Sequence, residues 1–199
     1  MEMKIREFHH SDIPHLMEIC LKTGDDGKDG TDCYSDPHFI GQLYALPYVI
    51  HNPELCMVVH EHEIPVGYIL GTDDTREFYR WMENQYLPTL RRRYPSGMQC
   101  ASQTEEFFLS LMHTDRSLVE VDPRFPSHLH INLLPTAQGK GLGQQLITRF
   151  TEKLSELGSR GAYLHTGPEN GKAIAFYQRN GFEIIEEKPG SVKLALSLM

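Results

Sequence analysis

The sequence predicts an α/β domain, and three observations carry that prediction. Short segments of alternating apolar and polar residues recur along the chain, as half-buried strands do. Apolar residues at helical spacing separate several of them, most clearly over 141–157. Two pairs of strand-like segments lie so close together that only a turn can join them.

The elements follow in order. Residues 3–8 alternate and read as a strand. Ser11 or Asp12 then caps a helix carrying Ile13, Leu16, Met17, Ile19 and Cys20, which stops near Gly24. The stretch from Asp25 to Asp32 is a loop by composition. It departs from a calcium loop, because Gly27 stands where an oxygen ligand belongs and Asp36 where a bidentate Glu belongs. No metal site is expected, and the loop is read as an acidic segment over a substrate cleft. Residues 36–47 read as a short helix. Residues 55–60 and 66–71 read as a hairpin, with the turn over Glu61 to Pro65. Residues 74–118 read as an inserted helical pair, broken at Pro95-Ser96-Gly97, with Trp81, Tyr86 and Leu90 on one face. Arg91-Arg92-Arg93 is read as a solvated helix face.

Beyond residue 127 the pattern sharpens. Leu129 and Ile131 alternate with His128, His130 and Asn132 in a strand that Pro135 ends. A helix from Gly141 to Leu157 carries Leu142, Leu146, Ile147, Phe150 and Leu154 on one side, with Gly158 as its C-terminal stop. Ala162 to His165 is a short strand, and Glu169 to Asn180 a helix. Residues 182–186 and 192–198 pair across Pro189-Gly190.

Composition excludes some classes. The 199 residues, 40% hydrophobic and 23% charged, suit a globular chain read as one domain over 1–199. A net charge of −8 argues against nucleic acid as a partner. No apolar run approaches a membrane span, and the N-terminus lacks an apolar leader. A cytoplasmic chain is therefore expected. Cys20, Cys33, Cys56 and Cys100 are too scattered for a zinc site and are read as reduced.

The segment that carries chemistry is Gln138-Gly139-Lys140-Gly141-Leu142-Gly143, between a strand and a helix. Three alternate glycines permit unusual dihedrals and close backbone approach. The helix N-terminus adds unpaired N–H groups and a positive dipole end. Together they predict an anion site suited to a pyrophosphate. A P-loop is excluded because Gly141, not Ser or Thr, follows Lys140. The dinucleotide pattern fails because the spacing is G-x-G-x-G.

This segment resembles the Q/R-x-x-G-x-G/A signature of the GNAT acetyltransferases. The stretch from Asn170 to Phe182 resembles that family's N-x-x-A-x-x-x-Y-x-x-x-G-F segment. Gly67-Tyr68-Ile69-Leu70-Gly71-Thr72, Phe125-Pro126-Ser127, Gly158 to Ala162 and Phe176-Tyr177 are similar to the acetyltransferase-like domain that ends animal O-GlcNAc hydrolases. The glycine loop is degraded in that group and intact here.

The resemblance implies a mixed, mostly antiparallel sheet of six to seven strands flanked by helices. It implies acetyl-CoA as cofactor, with the backbone of Gln138, Gly139, Lys140, Gly141, Leu142 and Gly143 on its pyrophosphate. Leu133 and Leu134 would pair with the pantetheine arm, where the 128–134 strand splays from the 162–165 strand. An amide of 131–133 would polarise the thioester carbonyl. Asn170 would touch the cofactor arm or cap its helix. Tyr177 would return a proton to the leaving thiolate. His128, His130 and His165 are open as general bases; Asn132 cannot be one, and no Glu stands on its strand. Asp25, Asp26, Asp29, Asp32, Asp73 and Asp74 are candidates to draw an ammonium group. The implied activity is acetyl transfer to an amine of a small molecule or peptide. A module that binds acetyl-CoA or recruits protein without turnover is the alternative, and a homodimer is compatible with the family.

Overall fold

The computed structural model describes residues 3–198. Its strands are β1 (Lys4–Glu7), β2 (Met57–Glu61), β3 (Ile64–Thr72), β4 (Ser127–Leu133), β5 (Gly161–Thr166), β6 (Glu183–Lys188) and β7 (Ser191–Ser197). They form one sheet in the order β1-β2-β3-β4-β5-β7-β6. Every neighbouring pair is antiparallel except β4 and β5, which are parallel. This is the mixed sheet with flanking helices that the resemblance implies.

Both faces of the sheet are covered, so alternation along a strand sorts residues between two cores. Leu129 of β4, Leu164 of β5 and Leu194 of β7 pack with α7 (Leu142–Glu156) and α8 (Gly171–Arg179). Leu146, Phe150 and Leu154 bury the apolar stripe of α7 in that layer. Gly158, at φ 79°, ends the helix in the left-handed conformation that Gly adopts without strain.

The other face is covered by α1 (Ile13–Lys22), α2 (Phe39–Tyr44), α3 (Leu46–His51) and the insert, comprising α4 (Thr75–Trp81), α5 (Leu87–Arg93) and α6 (Gln103–His113). Phe78, Met82, Leu87, Leu109 and Met112 of the insert share one buried cluster with Leu16, Phe39 and Tyr48. The insert therefore has no core of its own. Trp81 stacks on Tyr86, with ring centroids 5.4 Å apart.

Several local expectations change. Residues 36–47 form parts of two helices, because the chain breaks at Ala45 and Pro47 opens α3. The hairpin turn is tighter than expected. His62 and Glu63, at φ 51° and 65°, make it, and Pro65 lies inside β3 opposite His60, beside a register shift. A bulge tolerates the missing proline N–H. Asp12 does not cap α1 with its side chain; its carboxylate takes Arg6 at 2.7 and 2.8 Å and the His9 amide at 2.8 Å. Arg91 is not a solvated charge. It forks onto Glu83 at 2.7 and 2.9 Å and donates to the Met112 carbonyl at 2.8 Å, tying α5 to α6.

Candidate active site

The central feature is a gap between β4 and β5. The two strands pair only at Ser127–Ala162 and His128–Tyr163, while β4 runs on to Leu133. Beyond His128 the β5 side of β4 is open. Antiparallel residues bond their opposite partner at every second position. Leu134 N–H donates to the Val66 carbonyl at 2.9 Å, which puts Asn132 opposite Tyr68 in the bonded set. Ile131 and Leu133 therefore turn their backbone groups toward the gap. The Leu133 carbonyl is taken there by the Gln138 amide Nε2 at 2.9 Å. Leu133 keeps its expected place, but Leu134 does not. Its N–H bonds Val66 and its carbonyl accepts from Ala137 N–H at 2.9 Å, so both of its backbone groups are already engaged within the protein.

A cleft of about 940 Å³ runs through this gap. One wall is the glycine loop and the start of α7. Gly139 and Gly141 sit at φ 71° and 74°, which justifies glycine at both. Gly143 serves differently. It is helical, and a Cβ there would lie 2.9 Å from Phe176 Cζ, so its smallness lets α8 pack against α7. The α7 N-terminus has no side-chain cap, and its first intrahelical bond is Gln145 N–H to the Gly141 carbonyl. The N–H groups of Leu142, Gly143 and Gln144 thus lack helical partners at the positive end of a 15-residue helix. Gln138, Gly139, Gly141, Leu142 and Gly143 line the cleft; Lys140 does not. Its side chain is exposed and lies 3.8 Å from the Met3 sulfur, outside the anion site.

Tyr177 and Asn170 form the α8 wall. Tyr177 is 8% exposed and packs edge-on against Phe176 and Phe182. Burial pushes its phenol well above the ordinary value. Its hydroxyl has no hydrogen-bond partner among the described residues. The Asn170 side chain caps α8, its Oδ1 accepting from Ala173 N–H at 3.2 Å, and Asn170 also lines the cleft.

The opposite face of the sheet supplies the rest. Thr23, Asp25, Asp26, Gly27 and Asn132 line the same cleft from the α1 side. The loop after α1 reaches over the gap: a Cβ on Gly27 would lie 3.3 Å from Asn170 Nδ2, and one on Gly167 2.3 Å from Asp26 Oδ1. The acidic loop thus overlooks the cleft through Asp25 and Asp26. Asp29 is elsewhere, bonded to Thr31 and Lys22, and these bonds hold its carboxyl down to about 2. Asp32 is not in the lining either. Asp74 caps α4, and neither it nor Asp73 reaches the cleft.

None of the three histidines lines the cleft. His128 is 3% exposed, with Nδ1 on Thr75 Oγ1 and Nε2 on the Tyr48 hydroxyl, both at 2.8 Å. His130 Nε2 meets the same hydroxyl at 2.9 Å. Burial drives His128 far below an ordinary imidazole and His130 to about 3. His165 bonds Ser191 at 3.0 Å on the far strand. His128 and His130 belong to a buried neutral network around Tyr48, whereas His165 is exposed, and nothing in the sequence marked Tyr48 as lying between the first two. Thr23 and Phe176 are cleft residues that sequence reasoning missed. Thr23 becomes one by packing against Asn132 of β4, and Phe176 by packing against Gly143 of α7.

An open parallel strand pair, a glycine loop and an uncapped helix define an acetyltransferase fold. The chain belongs to the acetyltransferase (GNAT) family, whose model matches residues 28–182. The crystal structure of SsHAT is similar along its whole length, with 34% identity and a TM-score of 0.92 over all of both chains. Protein O-GlcNAcase of Rattus norvegicus is 26% identical over 184 residues, 90% of this chain and 20% of that protein. The chain thus spans about a fifth of the length of these curated relatives. The structure of yncA from Salmonella typhimurium, solved with its cofactor acetyl-CoA, shares the fold at a TM-score of 0.59 and 16% identity, covering 100% and 95% of the two chains.

Proposed function

We propose that this chain transfers the acetyl group of acetyl-CoA to an amine. The observation that carries the reading is the free edge of Ile131 and Leu133, open in one cleft with the unpaired N–H groups of α7. The pyrophosphate sits on Leu142, Gly143 and Gln144. The pantetheine arm enters the gap as a substitute for the missing β5 partner and pairs with Leu133 N–H. The Ile131 N–H polarises the thioester carbonyl as negative charge develops on its oxygen. Tyr177, kept protonated by burial, hands its proton to the departing sulfur.

Donor and acceptor approach from opposite faces of the sheet. Tyr177 lies in the α7–α8 layer, whereas Thr23, Asp25 and Asn132 lie on the α1 side. A solved neighbour of the same fold carries acetyl-CoA, and another, the paia N-acetyltransferase of Thermoplasma acidophilum, carries coenzyme A. The test is calorimetric titration with acetyl-CoA, with coenzyme A and ATP as controls. CoA release is then followed with spermidine, lysine amide, a tripeptide and an aminoglycoside. Selective binding with release supports the reading. Selective binding without release favours a module that binds acetyl-CoA without turnover. No binding of either acetyl-CoA or coenzyme A overturns both.

A further inference from the structure

We infer that Asn132 seats the attacking nitrogen of the acceptor, and that Thr23 fixes the direction in which it does so. The inference rests on the acetyl-transfer reading and adds the acceptor's side of the site.

The argument is one of proton accounting. Thr23 Oγ1 lies 2.7 Å from the Ile19 carbonyl, one turn back in α1. A carbonyl only accepts, so the single hydroxyl proton of Thr23 is committed to it. Thr23 is 6% exposed and has no second proton to give. Its oxygen can then only accept from Asn132, and the amide group turned toward it must be the NH₂. This settles the orientation of the Asn132 amide by its neighbours. Asn132 Oδ1 is left facing away from Thr23. It has no donor among the described residues, and it is not shut away from solvent. Asn132 lines the cleft between Ile131 and Leu133 in sequence but on the opposite face of the sheet.

An oxygen that only accepts, beside the thioester site, selects a nucleophile that still carries an N–H. A primary or secondary amine donates that N–H to Oδ1 and so aims its lone pair at the carbonyl carbon. The amine arrives neutral, because an amide cannot remove its proton. The nitrogen–carbon bond forms as the carbon–sulfur bond breaks. The excess proton on nitrogen passes to water, the sulfur takes the Tyr177 hydroxyl proton, and solvent restores that proton. Holding the nitrogen in one orientation is a gain of position. No charge change is required of Asn132.

The probe is hydroxylamine, a small nitrogen nucleophile with no carbon side chain to make further contacts, because the inference concerns only the attacking atom. Acetohydroxamate formation is measured for the intact protein, with acetyl-CoA affinity determined in parallel by calorimetry. Asn132→Ala is expected to lower kcat/KM for hydroxylamine about tenfold, the loss of one hydrogen bond. The affinity for acetyl-CoA stays within about twofold, since the Asn132 side chain lies on the other face. Thr23→Val keeps Asn132 but removes its lock, and raises KM for hydroxylamine; Thr23→Ser restores the wild-type value. An Asn132→Ala protein that binds acetyl-CoA and acetylates hydroxylamine at the wild-type kcat/KM overturns the inference. A wild type that binds acetyl-CoA without accelerating the reaction overturns the transfer reading and the inference with it, and one that binds none overturns the cofactor site as well. The calorimetric arm and the wild-type rate separate both from a failure of the Asn132 inference alone.

Discussion

The Tyr177 hydroxyl is held among aromatic rings on the α7–α8 side of the cleft, without a hydrogen bond among the described residues. Removing it leaves no orphaned partner, so Tyr177→Phe is expected to fold with near wild-type stability. A general acid contributes about 10²- to 10⁴-fold to a rate. Tyr177→Phe should therefore lower kcat for CoA release about a hundredfold, with acetyl-CoA affinity within about twofold. Single-turnover kinetics beside calorimetry checks this, and an unchanged kcat means that water protonates the thiolate. Because burial raises the phenol above its usual value near 10, ionisation of Tyr177 produces no fall in rate on the alkaline side below about pH 10. The identity of this tyrosine was legible in the sequence, since the Asn170 to Phe182 segment fixes its place on a helix. Its elevated proton affinity was not, because burial is a property of the packed α8 and not of the motif. The same division holds at Asn170, whose side chain caps α8 and which also lines the cleft.

At the scale of elements, the site depends on β3 and β4 lying close while β4 and β5 part. Gly71 sets the first condition. A Cβ there would sit 2.5 Å from the His128 carbonyl oxygen and 2.4 Å from Phe150 Cζ, and the carbonyl belongs to the sheet and cannot swing aside. Gly71→Ala is expected to destabilise by about 1–3 kcal/mol through overpacking. Gly97→Ala, with nothing within 4 Å and no left-handed φ, should be near neutral. Denaturant midpoints of the two variants test the contrast, and equal midpoints refute it. Sequence periodicity revealed α7 and β4 because each buries one face against a core. It did not reveal the break at Ala45, which Pro47 marks two residues on, or the two-residue turn at His62-Glu63, whose residues are not the glycine or asparagine that usually announces a positive φ. The glycine motif named the loop but not the direction of each residue. Leu134 and Lys140 fall outside the site because β3 pairing and the outward turn of the loop decide that, and neither is written in local spacing.

For the whole molecule, ligand linkage gives one expectation. Acetyl-CoA at a hundredfold excess over its Kd stabilises the folded chain by about 2.7 kcal/mol. For a chain of this size that raises Tm by about 5–11 °C, measurable by scanning calorimetry. Acidity gives another, through the buried network beneath β4. His128 and His130 are kept neutral, His128 far below 6.5 and His130 down to about 3, primarily by burial. In the unfolded chain they protonate near 6.5. Between that value and their folded values the unfolded state therefore binds more protons, and stability falls as pH drops. Above 6.5 neither state holds the proton, and the effect vanishes. Each of the two imidazoles contributes a slope of up to about 1.4 kcal/mol per pH unit. His165, lowered to about 4 by burial and then by Lys193, acts in the same direction but is more exposed. Carboxyls such as Asp12 and Asp36 are lowered too, so their contribution is lost only as pH falls through the ordinary carboxylate range, from about pH 5 downwards. The window from pH 6.5 to 4.5 thus belongs mainly to histidine. Urea midpoints taken across it should fall steeply for the wild type and about one-third to one-half less steeply for His130→Gln. Parallel lines for the two proteins would mean that His130 gains its proton without loss of the fold, through opening of the Tyr48 bridge to solvent.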